Sequence, residues 1–204
     1  MLGAVAVRGP SGSAVNASSV AFSPTSCEEF GQGARFAPHD VVDSLWRIFY
    51  FWAEGMEIST ILFALPSVKK VNDFKNIVKA VVPDIQVQWE NAAIFMEPRL
   101  GVRVLLMNVG HDGSFVALVK IEHLDADRSL RRPHIHLTTV QMKIAGRYLG
   151  IVNCIDHTAF ALARVAEMPQ TQNECNAAAA SLGLDTRSGK SYLSMEKAHV
   201  IDEL

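Results

Sequence analysis

The side chains able to do chemistry cluster in the second half of the chain: His134, His136, Cys154, Asp156, His157 and Cys175. His134 and His136 stand two apart in a stretch with strand character, so they share one face, with Thr138 beside them. Three readings fit this pair. A His-X-His pair holds a metal when a third ligand joins it, and Cys154, Asp156 and His157 are the near choices. A His-X-Thr on a strand is half of a two-motif phosphoesterase signature, but no good second copy is visible. Two partly exposed strand histidines need no ligand at all, and no metal is expected.

Cys175 adds a second constellation. A thiol becomes a nucleophile when an imidazolium and a helix N-terminus hold it as thiolate. Cys175 follows the polar run Gln170 to Glu174 and opens an Ala-rich helix, Asn176 to Leu182, capped by Gly183. His136 is placed to take the thiol proton, Asp156 to orient the imidazole, and Gln170 (or Gln172) to donate to an oxyanion. Taken singly, Cys175 reads as a small buried helix residue and Asp156 as a turn residue or N-cap.

These residues need a scaffold, and the periodicities supply a coarse one. Residues 1–37 are rich in Ser, Gly, Ala and Pro and read as a disordered leader, followed by a single domain over 38–204. Asp40 caps an expected helix through Val41, Leu45, Ile48 and Phe49, with a further helical turn over Ser59 to Leu65. Lys69 to Val82 predicts a helix with Val71, Phe74, Ile77, Val78 and Val81 on one side. Ile85, Val87 and Trp89 alternate like a strand. Val102 to Val109 and Phe115 to Ile121 form an expected hairpin across His111-Asp112-Gly113, and Ile135 to Ile144 forms another with Tyr148 to Val152 across Ala145-Gly146. Thr158 to Glu167 is Ala-rich and reads as helix, and Ser191 to Leu204 as a last amphipathic helix. The sum is an α+β fold with a mixed, mainly antiparallel central sheet flanked by helices.

Composition excludes some classes. Over 204 residues, 19 Lys+Arg against 21 Asp+Glu leave no basic footprint for nucleic acid. The apolar Val41 to Leu65 is broken by Asp43, Arg47, Glu54 and Glu57, so no transmembrane segment is expected. Cys27, Cys154 and Cys175 are odd in number and irregular in spacing, which favours reduced thiols in a cytosol-like compartment. Residues 1–7 are too short an apolar run for a signal peptide.

The order of these parts resembles the YopJ/AvrRxv family of bacterial effector acetyltransferases. The resemblance rests on His136-Leu137-Thr138-Thr139-Val140-Gln141-Met142-Lys143 with Gly146-Arg147-Tyr148-Leu149, on Gln170 to Cys175, and on Leu193 to Val200, over roughly residues 70–204. The interval from Asp156 to Cys175 is shorter than in that family. The resemblance implies a core like that of ubiquitin-like-protein cysteine proteases (CE clan) and a triad of His136, Asp156 and Cys175, with Gln170 at the oxyanion. It implies acetyl transfer from acetyl-CoA through Cys175 to Ser, Thr or Lys of host signalling proteins such as kinases. It also implies inositol hexakisphosphate as activator, with Arg131, Arg132 and Lys190 as phosphate contacts, and type III secretion into the host cytoplasm. A cysteine protease or deubiquitinase with the same triad, and a catalytically inactive interaction protein, are the alternatives.

Overall fold

The structure is a computed structural model and describes residues 25–53, 58–110, 113–122 and 133–195. Nine strands dominate it: β1 (Leu45–Trp52), β2 (Thr60–Ala64), β3 (Ala92–Arg99), β4 (Val102–Asn108), β5 (Ser114–Ile121), β6 (His134–Ala145), β7 (Tyr148–Asn153), β8 (Thr158–Arg164) and β9 (Lys190–Ser191). Each of the first seven pairs antiparallel with the next, and β8 returns to pair with β1. The sheet thus closes into an eight-stranded up-and-down barrel. The short β9 joins the upper part of β1, opposite Tyr50 and Phe51.

Three helices lie against the barrel: α1 (Cys27–Gly31), α2 (Val68–Val81) and α3 (Gln172–Ser181). The inward side chains form one core, with Trp46, Ile48, Phe63, Ile94, Leu106, Phe115, Met142, Leu149 and Leu162 among its buried members. On the outer wall, Phe74 and Val78 of α2 cover Phe95, Leu105, Met107 and Leu118. Cys175, Ala178, Ala179 and Leu182, from α3 and its C-cap, sit in a second outer cluster with Phe49, Ala159, Ala161 and Ala163. Gly150 of β7 lets Phe30 of α1 press on this wall, since a Cβ there would lie 2.7 Å from the Phe30 ring.

The wall explains where sequence reading fails. Strands buried on both faces lose the period-two alternation and read as continuous apolar runs. β1 carries inward Trp46 and Ile48 but also outward Phe49, buried to 0% exposure beneath α3. The helix expected through Val41 to Phe49 is therefore strand β1, and the turn expected over Ser59 to Leu65 is strand β2. Thr158 to Glu167 is likewise not helix but β8 followed by a short 3-10 turn. Its alanines face outward because α3 packs close on them. The strand expected at Ile85 to Trp89 is irregular chain ending in a 3-10 turn, and β3 takes its place in the sheet.

The overall expectation of a helix-flanked open sheet with a ubiquitin-like-protease core is thus overturned by closure of the sheet. The helix at Lys69 to Val82, the two hairpins and the Ala-rich helix capped at Gly183 stand as expected. Gly183 takes φ +80°, and the amides of Gly183 and Leu184 donate to the carbonyls of Ala180 and Ala179.

Residues 25–37 of the expected leader belong to the fold. Ser26 caps α1, Phe30 and Phe36 are buried, and Cys27 is joined to Cys154 by a disulfide. The expectation of reduced thiols is therefore corrected for Cys27 and Cys154, and only Cys175 is free. Of the last expected helix, one turn over residues 192–195 is described; residues 196–204 lie outside the described residues. Among the described residues no helix is long and apolar enough to cross a membrane.

Candidate functional site

The two ends of the barrel differ. At one end the N-terminal segment crosses beneath the strands: Phe36 packs edge-on to Phe115 at 5.6 Å, and the Ile144 amide donates to the Arg35 carbonyl. The Trp46 indole donates to the Val41 carbonyl at 2.9 Å. The Arg164 guanidinium lies 4.9 Å above the Trp46 ring and donates to the Asp40 carbonyl, closing this plug.

The far end is more polar inside. Alternation along β6 turns Val140 and Met142 inward and Ile135 and Leu137 outward, so His134, His136 and Thr138 face the lumen. Their cross-strand partners Ile121, Val119 and Ala117 also face inward. The His134 and His136 rings are 5.5 Å apart and tilted by 35°. Thr138 donates to Asn153 Oδ1 at 2.8 Å, and Asn153 Nδ2 donates to Asp156 Oδ2 at 2.8 Å. The Ile155 and Asp156 amides also donate to Asn153 Oδ1, which ties the β7–β8 turn to the lumen wall.

His136 departs from this satisfied pattern. Its Nδ1 is shielded from solvent and has no hydrogen-bond partner. A buried polar atom without a partner costs about 1–3 kcal/mol, so its presence at a chain position points to a partner supplied from outside.

The residues of the expected triad are not brought together. His136 faces the lumen, while Cys175 sits on the outer wall at 0% exposure, with the barrel strands between them. Burial, with Glu174 beside it, pushes the Cys175 thiol up to about 11, so it is held as a thiol and not a thiolate. The helix starts at Gln172 rather than at the sulfur, so Cys175 lies one turn inside it with its amide donating to the Thr171 carbonyl. Thr171 and Glu174 form a reciprocal capping box at the helix start. Asp156 is bonded to Asn153 rather than to an imidazole. Gln170 is exposed and donates to the Met168 carbonyl. Lys190 is exposed on β9, and Arg131 and Arg132 lie outside the described residues. Among the described residues no three His, Cys, Asp or Glu side chains gather as a metal would require.

Sequence reasoning singled out His134, His136 and Thr138 but missed Asn153, whose role as hinge of the turn depends on the cross-strand pairing with Val140. It also missed the Trp46–Arg164 plug, which joins the first and last barrel strands. No protein-family description, curated protein or solved structure matches the chain.

Proposed function

We propose that this protein is a small-molecule binding protein that holds its ligand in the far end of the barrel lumen. Eight-stranded barrels are either filled by side chains or enclose one small ligand. Here the plugged end is filled by large apolar groups, whereas the far end carries Val119, Ile121 and Phe160 beside a short polar strip. The observation that carries the reading is the unpartnered Nδ1 of His136 on the inward face of β6. A ligand with an apolar body and a polar group supplies what that atom lacks. Mixed apolar and convergent polar lining is the usual composition of such sites. Acyl transfer through Cys175 finds no support in a sulfur sealed against the outer wall.

The test is a titration with anilinonaphthalene sulfonate, displaced by dodecanol. Saturable one-to-one binding is expected, weakened at least tenfold in Val119→Phe, which narrows the lumen, while the circular dichroism stays unchanged. Absence of saturable binding, or binding indifferent to Val119→Phe in a folded variant, overturns the reading.

A further inference from the structure

The polar groups at the far end of the lumen are unequal in what they have left to offer. Thr138 donates to Asn153 Oδ1, which also accepts from the turn amides, and the Asn153 amide donates to Asp156. Facing inward beside them among the described residues are the pair of imidazoles, which carry N–H donors, and apolar side chains that include Val102, Val104, Val119, Ile121 and Phe160. The described inward face at this end therefore bears no free carboxylate. Its imidazole N–H groups are donors suited to an anionic oxygen.

Resting on the barrel-end reading above, we infer that the ligand is an amphiphile with a carboxylate head, gripped by His134 and His136 together. The two rings lie 5.5 Å apart on one face, with a tilt of 35°. That spacing suits one N–H from each ring to one oxygen each of a single carboxylate. The His136 Nδ1, shielded and unpartnered, is the ring nitrogen that such a head engages. The acyl chain then runs down the lumen past Val119 and Phe160 toward the apolar core. Charge-assisted bonds to a carboxylate are about twice as strong as neutral ones, so the head group decides the preference. An amine head would meet donors where it needs acceptors.

The experiment compares dodecanoate, dodecanol and dodecylamine as competitors of the bound dye, with chelator present throughout. It uses the full chain and the double variant His134→Gln/His136→Gln. Dodecanoate is expected to bind at least tenfold tighter than dodecanol in the natural protein. In the double variant the two should agree within about twofold, and a circular dichroism spectrum matching the natural protein shows that the variant is folded. Equal affinity of acid and alcohol in the natural protein overturns the inference and leaves the barrel-end reading standing. Preference for the amine, or an acid preference that survives the double variant, also overturns it. Failure of all three chains to compete removes the barrel-end reading itself.

Discussion

At Cys175 the sequence holds both the expected helix start and the reason the sulfur is out of reach. Cys175, Ala178, Ala179 and Leu182 follow helical spacing, and that shared face is the one pressed on Phe49, Ala161 and Ala163. A cysteine on the packing face of a helix is core, whatever the dipole beside it. The thiol should therefore react with a maleimide only through unfolding, far more slowly in the native protein than in denaturant. A native-state rate near that of a free peptide thiol would contradict the burial. The raised thiol value also has a sign in stability. The unfolded thiol ionises near its ordinary value of about 9 and the folded one near about 11. The stabilisation is thus complete below about pH 9 and is lost as the pH climbs to about 11, by up to about 2–3 kcal/mol. Urea melts across this range should show that loss in the natural protein and a smaller one in Cys175→Ala. His136 shows the converse. Its face on the strand was readable from alternation, but its missing partner was not, because that depends on which groups Val119, Thr138 and Asn153 present across the strands.

At the scale of elements, local signals succeeded where one face is wet and failed where both are dry. Helix α2 was legible because its polar side remains in water, with only Phe74 and Val78 buried. β1 and β8 were not, because α3 covers their outer face and removes the alternation that marks a strand. Small residues in β8 mimic a helix former, yet they are small because a helix must approach them. The disulfide is an element-scale device too. It ties α1 to the end of β7 across a separation of 127 residues. Loop-closure reasoning gives such a long link about 4–5 kcal/mol, with strain and unfolded-state structure lowering it. Cys27→Ser/Cys154→Ser should lower the urea-derived stability by about 2–5 kcal/mol, and a mild reductant should do the same to the natural protein. Unchanged stability on reduction would show that α1 is held by Phe30 and its cap alone. A linkage of this kind persists in oxidising compartments and is rare where thiols are kept reduced.

For the whole molecule, closure decides everything downstream. It is carried by the pairing of β1 with β8, far apart in sequence, and no local pattern announces it. The Trp46–Arg164 stack sits at that seam and plugs one end, leaving the polar strip of β6 at the other. Trp46→Ala should cost about 3–5 kcal/mol, as for a large core aromatic. Arg164→Ala should cost less, about 1–2 kcal/mol, from the lost stack and the Asp40 carbonyl contact. Both should leave the preference for acid over alcohol intact, because the plug and the strip lie at opposite ends. The same closure separates His136 from Cys175, so the scattered likeness to the effector acetyltransferases does not translate into a shared site.

The most direct measurement follows the histidine ring nitrogens by NMR in nitrogen-15-labelled protein as dodecanoate is added. The account predicts saturable shifts of the His134 and His136 resonances at one equivalent, with His39 beside the plug unmoved. Histidine spectra that stay unchanged up to saturating dodecanoate, or shifts spread evenly over all the rings, would contradict it.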